Sequence, residues 1–232
     1  PDMRAAVWNT VLYTVGLLPL SVALPLAPAL MTQGIRGPLR NLYRTLIFVP
    51  MIVPPIVAAI LWRWLLNADH GLVNAGLDGV GLGRVAFLGD PAVALWALVW
   101  ITGWKLIGFS TLLFSAANSA INPAYIEAAR MDGAGSLRIL AQVVVPNLSA
   151  PRAALGILAF ISAWNDYFWP LLLIRRMENS VVQIGLQFFL TEEGNRWGPL
   201  MAAATLASLP ILAVYLILHR QVIDSFMRAG IR

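Results

Sequence analysis

The chain has 232 residues, 59% of them hydrophobic and only 12% charged, with a mean hydropathy of +0.75. Soluble domains average about 45–50% apolar and about 25% charged, so the composition excludes a soluble enzyme, a disordered linker and a disulfide-stapled secreted module, and assigns the chain to a membrane. The absence of cysteine removes thiolate catalysis, cysteine-based zinc sites and disulfides, and the net charge of +5 does not gather on a polar face as nucleic-acid binding requires.

In chain order, five stretches are long and apolar enough to cross a bilayer: residues 6–31, 45–66, 91–117, 151–174 and 197–219. The requirement is about 20 residues, because the hydrocarbon layer is about 30 Å thick and a helix rises about 1.5 Å per residue. The stretches are continuously apolar and do not alternate, which favours helices over barrel strands. The expected fold is an all-α bundle of about five transmembrane helices forming a single domain over residues 1–232, with residues 118–150 as a cytoplasmic loop. Pro19, Pro25, Pro50, Pro54, Pro55, Pro170 and Pro210 fall inside the stretches. Each frees a backbone carbonyl, so several helices should be kinked.

Orientation follows from the cations outside the spans. One side holds nine arginines (Arg36, Arg40, Arg44, Arg130, Arg138, Arg152, Arg220, Arg228 and Arg232) and the other five (Arg4, Arg84, Arg175, Arg176 and Arg196), which assigns the first set to the cytoplasm. On this count the segment begins outside and ends inside. An upstream helix is expected to carry the chain across before Pro1.

Between the third and fourth spans, Glu127-Ala-Ala-Arg-Met-Asp132-Gly133-Ala-Gly135 precedes Val143-Val-Val-Pro146. Asn122-Pro123 reads as a cap followed by a first turn, Tyr125 to Met131 as helix, and the glycines as its stop. A second amphipathic stretch starts at Ser136, a candidate N-cap, and runs toward Pro146. The result is a short elbow in which small residues allow close approach and Glu127, Arg130, Asp132 and Arg138 offer charge-assisted bonds. Such an elbow suits docking better than chemistry. The plainer alternative is a loop with a solvated charge run.

The segment Glu127 to Pro146 resembles the EAA loop of permease subunits of ATP-binding-cassette type I importers, with Glu127, Ala128, Ala129, Asp132, Gly133, Ala134 and Pro146 in the family's register. Val143 and Val145 stand where the family usually has Ile and Leu. Asn9-Thr10, the run Trp164 to Pro170, Gly198-Pro-Leu-Met-Ala-Ala-Ala and the ending from Pro210 to Arg232 resemble the carbohydrate-uptake branch. The segment Phe48 to Asn74 resembles one of the branch's two permease types and the C-terminal half the other. The resemblance implies a permease subunit, not an enzyme, in a bacterial or archaeal cytoplasmic membrane. Its implied partners are a second permease, two ATP-binding subunits and an extracytoplasmic solute-binding protein, and it implies alternating access driven through the elbow. Glu127 is implied to pair with a basic residue of the ATPase. No Walker-type Gly-x-x-x-x-Gly-Lys-Ser/Thr occurs, so ATP and Mg are expected on partner subunits and no cofactor on this chain.

Ionisable residues inside spans are costly and so are functional candidates. Arg63, near the outer end of its span, can snorkel. Lys105 lies about mid-span near Trp100 and Trp104. Asp166 is flanked by Trp164, Asn165, Tyr167 and Trp169. That cluster suits a sugar, whose C–H faces stack on aromatic rings while Asn and Asp bond its hydroxyls. The substrate-path candidates are Lys105, Trp104, Asn165, Asp166, Tyr167, Trp164 and Arg63; the plainer reading is an interfacial aromatic belt with a Lys105–Asp166 pair. His70 and His219 lack carboxylate partners at ligand spacing, so no metal is expected. The expected cargo is a sugar or oligosaccharide. The alternative is glycerol 3-phosphate or a glycerophosphodiester, with Arg63 or Lys105 as the anion site. An intramembrane enzyme or a membrane scaffold would leave the elbow's register without a reason.

Overall fold

The computed structural model describes residues 3–34, 38–190 and 196–230, and their regular structure is entirely helical. Arg36 and Arg232 of the orientation count lie outside these residues. By length and composition, Met3–Leu30, Pro91–Ser119 and Trp197–Ile217 can each cross a membrane as one helical stretch, and two further crossings arise only if bent pairs are joined.

The first stretch comprises α1 (Met3–Leu18), a π-helical turn (Pro19–Ala23) and α2 (Leu26–Gly34). Pro25 has no N–H to donate, and the Leu24 N–H reaches back five residues to the Pro19 carbonyl at 2.9 Å. Next come α3 (Pro38–Ile52) and α4 (Pro55–Leu65), which meet at 103°. Pro54 and Pro55 remove two donors, and a proline disfavours the helical conformation in the residue before it. The stretch 45–66 is therefore two arms and not the one continuous span that its apolar run predicts.

After α5 (Leu72–Gly79), the central helix α6 (Pro91–Ser119) starts with Pro91 in its first turn and the Asp90 side chain accepting from the Ala92 N–H at 2.9 Å. It packs on α1, α2 and α3. A β-carbon at Gly108 would stand 2.5 Å from the Ile47 carbonyl oxygen, so glycine is what lets α3 lie directly on α6. Tyr13, Leu17, Leu98, Ile101 and Leu173 fill the core between these helices, each 1% exposed or less.

The elbow consists of α7 (Pro123–Met131), α8 (Ser136–Ile139), a π-helical turn (Leu140–Val144) and α9 (Val145–Asn147), and it leads into α10 (Ser149–Trp164) through a 56° bend. The fourth predicted span, 151–174, stops at Trp164; residues 165–167 are unwound before α11 (Phe168–Leu173). Finally α12 (Val182–Gln187) precedes α13 (Trp197–Gly230), which rests on α10 through the small, buried Ala203 and Ala207. Its outward Leu206, Leu209, Leu212 and Ile217 are exposed, as a lipid-facing surface requires.

Candidate functional site

Two assemblies carry the candidate residues. The first is the elbow. The Asn122 side chain accepts from the Ala124 N–H at 3.0 Å and Pro123 sits at the first helical position, so α7 starts where the sequence places it. It ends in a Schellman turn. The Ala134 N–H donates to the Ala129 carbonyl at 2.9 Å and the Gly133 N–H to the Arg130 carbonyl at 3.0 Å, with Gly133 at φ +76°. That left-handed conformation costs a residue with a β-carbon about 1–2 kcal/mol, which explains the glycine.

Burial divides the elbow into two faces. Ile126, Ala129 and Ala134 turn inward onto a core of Ile139, Val144 and Leu148, together with Leu26 and Leu30 of α2 and Ala117 at the end of α6. Glu127, Ala128, Asp132 and Gly133 point outward with Tyr125 and Met131, the last 88% exposed, and Pro146 is exposed as well. An apolar anchor thus fixes the elbow to two membrane helices. Its free face carries small residues, two bulky apolar side chains and the two carboxylates of Glu127 and Asp132, a mixture suited to a protein partner. Ser136 begins α8, but its side chain lies outside those described.

The second assembly surrounds the helix breaks. Asp166, in the unwound segment, accepts a hydrogen bond from the Tyr13 hydroxyl at 2.6 Å through Oδ2, while Oδ1 accepts from the Trp169 N–H at 3.2 Å and so caps α11. The Tyr13 oxygen also lies 3.0 Å from Thr102 Oγ1; a phenol has one proton, so Thr102 is the donor. Three separated segments therefore meet at one half-buried carboxylate.

Lys105 does not pair with Asp166. Its Nζ donates to the Val53 carbonyl at 2.7 Å, at the α3–α4 bend that proline creates, and lies 5.6 Å from the Trp169 ring centre. Trp104 packs edge-on against Trp62 with ring centres 5.4 Å apart. Trp164 faces α13, donating from Nε1 to the Ala207 carbonyl at 2.8 Å and stacking on Phe160. Asn165, exposed, and Tyr167, half-buried, form a polar row with α12: Gln183 Nε2 donates to Asn165 Oδ1 at 3.2 Å and Gln187 Nε2 to the Tyr167 hydroxyl at 2.8 Å. The aromatic–polar run that is contiguous in sequence is thus split among three neighbours. Arg63 is exposed in the last turn of α4 and lines a cavity with Arg175. No group of three or more His, Cys, Asp or Glu side chains among the described residues could hold a metal.

Sequence reasoning missed Tyr13, Thr102, Gln183 and Gln187, because their roles depend on contacts across the bundle. Asn9-Thr10 proves to be a clasp: Asn9 Nδ2 donates to the carbonyls of Glu178 and Ser180 at 2.8 and 3.1 Å, and Thr10 Oγ1 accepts from the Val182 N–H at 2.8 Å. The available signal was two hydrogen-bonding residues side by side in an apolar run.

Known proteins are similar to this chain in sequence and in fold. The diacetylchitobiose uptake system permease protein NgcF of Streptomyces coelicolor is 35% identical over 141 residues, which is 57% of this chain and 40% of the relative. The xylose/arabinose import permease protein XacH of Haloferax volcanii is 28% identical over 173 residues, 74% of this chain and 54% of the relative. The chain thus spans about half the length of these curated relatives. A bacterial ABC transporter involved in the import of the acidic polysaccharide alginate superposes with a TM-score of 0.85 at 23% identity, covering 97% of this chain and 80% of that one, which establishes the shared fold. Residues 22–228 match the family described as binding-protein-dependent transport system inner membrane component, and the chain belongs to that family of multi-pass membrane permeases.

Proposed function

We propose that this chain is a permease subunit of an ATP-driven importer that moves a sugar or oligosaccharide across a bacterial or archaeal cytoplasmic membrane by alternating access. It acts with a second permease, two ATP-hydrolysing subunits and an extracytoplasmic solute-binding protein. The observation that carries this reading is the two-faced elbow, whose inner face is packed onto α2 and α6 while Glu127, Ala128 and Asp132 stay outward. A partner that moves this face moves two membrane helices with it, because packed side chains transmit displacement as a body. ATP and Mg act on the partner subunits and reach this chain only through that contact. The family match and the names of the sugar-importing relatives support the same assignment.

The test is Glu127→Arg in the assembled transporter. Membrane insertion should persist, co-purification with the ATPase should fall, and ATP-dependent uptake should drop at least tenfold. Unchanged uptake in this variant rejects the proposal. Uptake of glycerol 3-phosphate in place of any sugar would retain the importer but replace its cargo.

A further inference from the structure

The two ends of α6 lie about 43 Å apart at about 1.5 Å per residue. The elbow packs at its C-terminal end; at the other, a cavity of about 150 Å³ opens beside Leu88. Leu66 and Leu88 are buried beneath it, and Arg63, Asn67, Asp69 and Arg175 supply its polar lining. At about 30 Å³ per water, the space equals about five waters, room for an acidic group with part of one sugar ring.

Three donor groups from two separate segments line this cavity. Arg63 comes from the last turn of α4 and Arg175 from the chain just beyond α11, and neither engages a carboxylate among the described residues. Asn67 Oδ1 is occupied by the N–H groups of Asp69 and His70 at 2.9 and 3.0 Å, which fixes the amide and leaves Nδ2 free as a donor. Asp69 is the only acid among the described residues of the lining, and it shares its field with Arg84, whose guanidinium pKa is raised first by its bond to Asp78 and further by Asp69. The cavity keeps an excess of positive charge, and two guanidinium groups sharing one small space repel unless an anion lies between them. The planar fork of each is matched to carboxylate and phosphate oxygens.

We infer that this outer cavity is an anion site that takes the carboxylate or phosphate of an acidic sugar arriving from outside. The inference rests on the importer reading and deepens it by naming a substrate class. The same chemistry is offered by a lipid headgroup, so the test separates the two sources.

The full-length protein in phosphatidylcholine nanodiscs is titrated calorimetrically with D-glucuronate, inorganic phosphate and D-glucose. At least one anion should bind tenfold or more tightly than glucose. Arg63→Gln and Arg175→Gln should each weaken it about tenfold, while Arg176→Gln, on an exposed neighbour outside the cavity, should leave it unchanged. Arg63→Lys and Arg175→Lys, which keep the charge and lose the fork, should fall between and serve as readouts if a Gln variant fails to fold. Equal affinity for all three solutes, or equal loss in Arg176→Gln, overturns the inference. A second arm measures retained phosphatidylglycerol by native mass spectrometry. If Arg63→Gln and Arg175→Gln lose that lipid while the wild type binds neither soluble anion, the cavity holds a headgroup and the solute assignment is overturned. The binding measurement needs no ATPase, so its failure alongside a normal Glu127→Arg uptake defect removes this inference alone.

Discussion

The elbow and the Asp166 junction are built on opposite plans. The elbow draws its cap, turn and outward residues from one continuous stretch between Asn122 and Pro146, and only its anchoring contacts come from elsewhere. The junction has one residue in α1, one in α6 and one in the break after α10, separated by up to 153 positions. A contiguous device can be recognised from spacing and can work as a handle wherever it is anchored. A device shared among helices registers how those helices sit relative to one another, which is what a membrane path that opens and closes requires.

The sharpest way to break this contrast is to remove the junction. Asp166→Ala should destabilise the protein by about 2–3 kcal/mol, since it removes the charged acceptor of the buried Tyr13 hydroxyl and leaves Thr102 as its remaining partner. With Tyr13→Phe, a double-mutant cycle by denaturant unfolding should give a coupling of about 1–3 kcal/mol; strictly additive effects would show that the junction is not a unit. Lys105→Met should cost about 1.5–2 kcal/mol, the lower part of the range for bonds to charged groups. The loss should be seen as faster amide exchange around the α3–α4 bend, and uniform acceleration along α6 would contradict the stapling role. In the elbow, Gly133→Ala should cost about 1–2 kcal/mol through its left-handed backbone, with the loss confined to α7 exchange. Smallest is Asn122→Ala, at about 1 kcal/mol for the lost cap; fraying of the first turn of α7 is its signature, and a change in the distant junction would end the claim that the elbow is local.

Much of this was legible beforehand for reasons particular to each residue. Asn122-Pro123 and Gly133 mark the ends of α7 because capping and positive φ act within a few bonds, whatever the surroundings. Pro54-Pro55 announced a fault in the second stretch, but the 103° bend and its Lys105 staple depend on where α6 lies. The run Trp164 to Trp169 looked like one cluster. In the structure the helix ends inside it, so adjacent residues leave in different directions: Trp164 to α13, Asp166 to α1 and Asn165 to α12. No periodicity reveals that, because the break itself defeats the helical spacing on which such readings rely.

From the residues alone came the membrane class, the apolar stretches, the elbow's two ends and the family register, since transfer free energy, backbone sterics and capping are properties of short segments. The pairing of Tyr13 with Asp166, the capture of the Val53 carbonyl by Lys105 and the placement of Arg63 and Arg175 on one cavity belong to the tertiary structure. These contacts join residues far apart in the chain, and a buried polar group takes whichever partner the packing brings within bonding distance.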